Sequence, residues 1–127
     1  MIFYLNEEYK MTGASGRGYS FTMYGFGTFD ELEEKFKDYP HAGLYVFTAR
    51  DYSQTLGKYI HEPVYVGQTG NFQTRDFANY HKREEIEETG SHSIGICLTE
   101  NVSDEHRKEM EKDLLDAYEL QCNEVNN

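Results

Sequence analysis

Apolar and polar residues alternate through Tyr19-Ser20-Phe21-Thr22-Met23-Tyr24, the two-residue period of a half-buried strand. Met1 to Tyr9 reads as another strand, and the turn-prone stretch Thr12-Gly13-Ala14-Ser15-Gly16-Arg17-Gly18 between them predicts a hairpin. The pattern then changes. Thr28-Phe29-Asp30-Glu31 forms a capping box, and Phe29, Leu32 and Phe36 fall at the three- and four-residue spacing of a short helix that Pro40 stops. Residues 1–42 therefore read as an N-terminal β-β-α appendage.

From Gly43 onward two short β-prone runs appear, Gly43 to Phe47 and Pro63 to Gly67, separated by a polar stretch that predicts a long-looped antiparallel hairpin. Asn71 is placed to cap a helix that carries Arg75 and runs to about Glu88, with Gly90 past its end. Ile94, Ile96 and Leu98 share one face of a third strand. Ser103, followed by Asp104 and Glu105, opens a last helix that continues to about Glu119. The expected fold is α+β: a small three-stranded antiparallel sheet flanked by helices, in the order β-β-α-β-α, over residues 43–127.

Composition supports one ordinary core: the chain has 127 residues, 38% of them hydrophobic and 15% aromatic. No apolar run is long enough to span a bilayer, and the start lacks a basic segment followed by an apolar one, so a cytoplasmic protein without membrane association is expected. Cys97 and Cys122 have no metal-binding spacing and read as free thiols. Charge narrows the picture most. Twelve Lys and Arg face 23 Asp and Glu, a formal net charge of −11, and residues 43–127 alone carry 8 basic and 16 acidic residues. Such a chain repels a phosphate backbone on average, so any nucleic acid must be held through a local basic patch, a metal or a partner.

Against that background five short elements stand out in order: Gly43-Leu44-Tyr45, Tyr65-Val66-Gly67, Arg75 ten residues beyond Tyr65, Glu111-Lys112-Asp113-Leu114-Leu115 with Tyr118, and Asn123. Together they resemble the signature of the GIY-YIG endonuclease family over residues 43–123. The resemblance implies a GIY-YIG-like fold and metal-dependent hydrolysis of DNA phosphodiester bonds, with Tyr45, Tyr65, Arg75 and Glu111 as the catalytic set. It also implies that Tyr45 deprotonates or orients the attacking water.

Those residue types suit the reaction. Arg75 can offer two parallel donors to a phosphate. Glu111 can supply a hard oxygen to Mg²⁺ or Mn²⁺, ions that keep most of their waters and need few protein ligands. A free phenol has a pKa of about 10, so Tyr45 needs a nearby cation or relay to work as a base. The competing readings are structural: strand tyrosines that only pack, an Arg75 that only pairs with an acid, and a Glu111 that pairs with Arg107 one turn earlier. Glu111 also shares a helix face with Leu115 and Tyr118, at the edge of a buried stripe where carboxylates need partners. Gly43 and Gly67 read as structural, with Gly67 permitting close approach, and Asn123 as a tie for the C-terminal loop.

Many members of the family have a histidine four residues after the arginine; here Asn79 stands there. On the expected helix Asn79 and Lys82 share the face of Arg75, whereas His81 points away. Lys58 and His61, in the connection of 19 residues between Tyr45 and Tyr65, are alternative proton acceptors or phosphate contacts. A second function class fits the charge: an acidic, nuclease-like module that binds a protein and is inactive or works only within a complex. In either case a protein partner or a homo-oligomer is a candidate source of affinity.

Overall fold

The computed structural model describes residues 2–123. Its strands are β1 (Phe3–Thr12), β2 (Gly18–Gly25), β3 (Gly43–Ser53), β4 (Lys58–Thr69) and β5 (Ser93–Leu98). Its helices are α1 (Phe29–Phe36), α2 (Arg83–Glu88) and α3 (Asp104–Ala117), with one 3-10 turn at Phe72–Thr74. No helix among the described residues is long and apolar enough to cross a membrane.

The sheet corrects the expected architecture. In place of a three-stranded GIY-YIG-like sheet with a separate β-β-α appendage, all five strands form one antiparallel sheet in the order β1-β2-β5-β3-β4, curled into a half-barrel. β5 is the reason. It pairs with β3 on one side, Leu44 opposite Cys97, and with β2 on the other, Tyr24 opposite Ile94. An unpaired edge on β5 would leave backbone donors and acceptors without partners, and the N-terminal hairpin supplies them. Gly95 makes the crossing possible, since a Cβ there would lie 2.6 Å from Met23 Sδ and 2.8 Å from Val46 Cγ1.

β3 lies between β5 and β4, and its apolar run divides between two faces by simple alternation. Tyr45 and Phe47 enter one core with Phe29 and Phe36 of α1, Phe72, Phe77 and Tyr80. Leu44 and Val46 enter the other with Met11, Phe21, Met23 and, from α3, Met110 and Leu114. The region between the tyrosine runs is not a long loop. β3 and β4 continue as a two-stranded arm to a tight turn at residues 54–57, with Ser53 opposite Lys58 and Gly57 at φ +67°. The arm is mostly polar and its apolar Tyr52 and Ile60 are exposed, so these strand extensions gave no core-facing pattern in the sequence. The register skips Val64, where Phe47 faces Tyr65 but Thr48 faces Pro63. Pro63 cannot donate to a ladder, and a bulge accommodates it.

The helix expected from Asn71 to Glu88 is also absent. Asn71 does cap a turn, accepting from the Gln73 amide at 2.9 Å, but that turn ends at Thr74 and Arg75 is extended, with ψ 119°. Phe72, Phe77 and Tyr80 are all buried while Asp76 and Asn79 are exposed. One helix cannot present that pattern, because exposed Asp76 would lie about 40° from Phe72, inside the arc of about 140° that Phe72, Tyr80 and Phe77 would bury. Asp76 instead closes a local turn on Asn79, and helix resumes only at Arg83.

The edge strands β1 and β4 approach each other across the open side of the half-barrel. There Glu7 of β1 bonds His61 of β4 at 2.5 Å, and Tyr9 lies against the same imidazole with ring centroids 5.4 Å apart. Asn6, at φ +57°, sits at the β1 irregularity next to Glu7.

Candidate active site

Tyr45 and Tyr65 project from adjacent antiparallel strands, and Arg75 reaches them from the segment that leaves the 3-10 turn. Arg75 Nη2 donates to Tyr45 Oη at 3.0 Å and approaches Tyr80 Oη at 3.4 Å, with its guanidinium carbon 5.2 Å from the Tyr80 ring centroid. The Tyr45 and Tyr80 hydroxyls are 2.5 Å apart, and Tyr80 donates to Tyr65 at 2.9 Å. Proton counting orients this chain. Because Tyr80 spends its hydrogen on Tyr65, Tyr45 donates to Tyr80, and the Tyr65 hydrogen is not used within the chain of phenols.

Tyr80 was not singled out in the sequence. Counted on a helix, it points about 140° away from Arg75. The irregular backbone from Arg75 to Lys82 brings it back, and no periodicity signals that.

Gly67 is opposite Tyr45 on β4, and a Cβ there would lie 2.4 Å from the Tyr45 ring. The glycine makes room for the phenol. Gly43 is similarly confined, with a Cβ position 2.6 Å from the Cys97 carbonyl oxygen. Asn123 ties the chain beyond α3 to β4: its Oδ1 accepts from the Val66 amide and its Nδ2 donates to the Val66 carbonyl, both at 2.9 Å.

Glu111 approaches from α3, near enough for its charge to act on Tyr65 and for Arg75 to act on it. It does not pair with Arg107. That guanidinium is buried and turned to Gln68 Oε1 at 2.9 Å and to Asp104. The half-buried Glu111 carboxylate has no hydrogen bond or ion pair with any described residue. Burial pushes it above the usual carboxylate range, and Arg75 and Lys108 offset this only in part. Burial likewise pushes the Tyr45 phenol well above its ordinary value despite the opposing Arg75 charge, and raises Tyr65. Tyr65 is the more open of the two, at 8% against 0% exposure.

The Arg75 Nε is buried with no partner among the described residues, and the guanidinium charge persists at any working pH. Around it the site is aromatic: Phe72 and Phe77 stand edge-on to Tyr45 at 6.0 and 5.5 Å.

The remaining candidates lie elsewhere. Asn79 is exposed and bonded to Asp76, and Lys82 is buried beside Glu85 at the start of α2. Lys58 is on the arm, in a groove it shares with Lys10 and Glu8 of β1. His61 is spent inside the fold, its Nδ1 2.8 Å from Thr48 Oγ1, which in turn meets Ser93 Oγ at 2.6 Å. The order carboxylate, imidazole, hydroxyl is that of an activated nucleophile, but Thr48 is wholly buried and no substrate can meet it.

Among the described residues no group of three or more His, Cys, Asp or Glu could hold a metal ion. A site with one carboxylate is a different case. Magnesium retains several waters and takes one or two protein carboxylates, and a half-buried Glu111 with no hydrogen bond or ion pair to any described residue fits that coordination. Compared with known protein families, characterised proteins and solved structures, the chain has no significant match.

Proposed function

We propose that this protein is a metal-dependent endonuclease that hydrolyses DNA phosphodiester bonds at the cluster of Tyr45, Tyr65, Tyr80, Arg75 and Glu111. The observation that carries the reading is the meeting of Arg75, three linked phenols and a half-buried Glu111 carboxylate that has no hydrogen bond or ion pair with any described residue. The reading rests on this chemistry and not on the topology of the sheet, since one fold hosts many functions.

In this reading the Arg75 guanidinium binds the scissile phosphate and stabilises the charge that grows on the phosphoryl oxygens. Tyr65 presents its unused hydroxyl hydrogen to the substrate or to the attacking water. Tyr45 and Tyr80, beside Arg75, hold that hydroxyl in place. Glu111 holds Mg²⁺ or Mn²⁺. When bound, the cation supplies local charge neutralisation that an acidic chain otherwise lacks on its approach to DNA. The tilt of Glu111 toward its neutral form favours a ligand that restores the anion.

Nicking of supercoiled plasmid with and without Mg²⁺ tests the proposal, alongside Glu111→Gln and Arg75→Ala. Nicking that needs the metal and is lost in both variants is expected. A pure, folded chain that leaves plasmid intact with Mg²⁺ and Mn²⁺ would overturn the reading for the isolated protein and favour the acidic interaction module.

A further inference from the structure

The tip of the β1–β2 hairpin is built around a carboxylate from another part of the chain. Asp113 of α3 accepts at Oδ1 from the Ser15 amide at 2.8 Å, and at Oδ2 from Ser15 Oγ at 2.7 Å and Tyr19 Oη at 2.8 Å. Its main-chain carbonyl takes the Ala14 amide at 3.0 Å. Gly13 leaves the space required, since a Cβ there would lie 2.0 Å from Asp113 Oδ2. Just past the end of α3, the hydroxyl of Tyr118 accepts from the Thr12 amide at 3.0 Å. This loop is held far more closely than solubility or turn formation needs.

Asp113 stands two residues beyond Glu111. At about 100° per residue the two are about 200° apart around the helix. Met110 and Leu114, both buried in the core against the sheet, lie in the arc between them. Glu111 and Asp113 therefore occupy opposite flanks of the buried stripe of α3. Apolar contacts along the stripe resist lifting of the helix but resist roll about its axis weakly, because they have no direction. Hydrogen bonds on the flanks do resist roll, those to Asp113 on one side and that of Arg107 to Gln68 Oε1 on the Glu111 side, so the hairpin tip completes a two-sided hold. A side-chain tip about 6 Å from the axis moves about 1 Å for a roll of 10°, and a 1 Å misplacement of a reacting group can cost on the order of 10²-fold in rate.

We propose that Asp113, Ser15 and Tyr19 are positioning residues for Glu111: the hairpin tip sets the roll of α3 and so places the carboxylate at the active site. The inference rests on the nuclease reading of that site for its consequence, but its geometry stands independently. It also gives the N-terminal hairpin a role beyond supplying two strands.

The test compares the intact protein with the Ser15→Ala/Tyr19→Phe double variant, the single variant Ser15→Ala, and Ser15→Thr, which keeps the hydroxyl. Two readouts are taken: the Mg²⁺ dependence of plasmid nicking, and the pH titration of the Glu111 carboxyl carbon by NMR, assigned by its absence in Glu111→Gln. In the double variant the half-saturating Mg²⁺ concentration should rise roughly 10- to 100-fold, as when outer partners of a ligand are removed, with most of the rate recovered at saturating Mg²⁺. The Glu111 titration midpoint should shift, and Ser15→Thr should restore both. A loss of folding alone would lower the rate at every Mg²⁺ concentration without that split, and Ser15→Ala, which removes one hydroxyl, supplies the folded comparison. An unchanged midpoint and an unchanged Mg²⁺ dependence in folded variants would overturn the positioning role while leaving the nuclease reading intact. A shifted midpoint in a protein that never cleaves would retain the positioning role and remove the nuclease reading.

Discussion

Arg75 Nη2 donates to the hydroxyl of Tyr45 at 3.0 Å, although 30 residues of chain separate them and Arg75 lies outside any helix. The contact binds the one fixed cation of the cluster to its most buried phenol. Several consequences of this arrangement can be measured.

Arg75→Ala should lower single-turnover cleavage by roughly 10²–10³-fold, the scale for loss of one donor to a transition state. Arg75→Lys should recover little of it, because an ammonium cannot bond two phenols and a phosphate in one plane. Binding of a short duplex should fall much less than rate in either variant. Equal losses in both would assign Arg75 to simple substrate binding.

Glu111 gives a paired prediction for activity and stability. Its folded-state pKa is raised by burial, so the stability it contributes is fully present below the unfolded value and is lost as pH rises through the folded one. At neutral pH the ionised side chain thus works against the fold. Glu111→Gln should abolish metal-dependent cleavage yet melt at a higher temperature than the parent at pH 7, with the advantage vanishing near pH 4. Mg²⁺ should raise the melting temperature of the parent alone. A variant less stable than the parent at pH 7 would contradict the burial argument.

Tyr80→Phe separates the phenol chain from its packing. The ring and its contacts are kept, while the hydroxyl that joins Tyr45 to Tyr65 is lost. Stability should fall by about 1 kcal/mol, the usual net worth of such a bond. Cleavage should fall by roughly 10²-fold if the chain holds the Tyr65 hydroxyl in place for the reaction. Rates within twofold of the parent across the pH range would reduce Tyr80 to a packing residue.

Gly67→Ala tests the fit between β4 and Tyr45. A methyl group 2.4 Å from the Tyr45 ring cannot be absorbed without moving that ring. Overpacking of this kind costs about 1–3 kcal/mol, and urea denaturation should show it. Activity should fall further than stability, because the displaced ring carries the hydroxyl that Arg75 bonds.

At the seam of the half-barrel, Glu7→Ala leaves His61 buried with one ring nitrogen unpartnered; its side chain is only 3% exposed. An unsatisfied buried polar group costs about 1–3 kcal/mol. Urea denaturation should record that loss, and hydrogen exchange should quicken first in β1 and in the arm of β4. Uniform exchange across the sheet would show that the seam is not a separate weak point.

The local elements were written in short-range patterns. Alternation in Tyr19 to Tyr24, the capping box at Thr28 and the cap at Ser103 each act within a few residues, so β2, α1 and α3 lie where the sequence places them. The run from Gly43 to Phe47 was likewise legible as a strand, though its burial on both faces was not. Tyr45, Tyr65, Arg75 and Glu111 could be named because they sit in short motifs at readable spacings.

Tertiary structure decided the rest, wherever the deciding energy lay in partners distant along the chain. Only the open edge of β5 determined that the N-terminal hairpin joins the sheet, and no pattern within residues 1–27 encodes that edge. Arg75 left the expected helix because Phe72, Phe77 and Tyr80 gain more by entering one core than a regular backbone gains from local hydrogen bonds. The same demand for burial carried Tyr80 into the site and withdrew Lys82 from it. His61 became a clasp and not a catalyst because Glu7 meets it across 54 residues of chain. Composition and periodicity are sums over neighbours in sequence, and they are blind to contacts created only when the sheet curls and closes on itself.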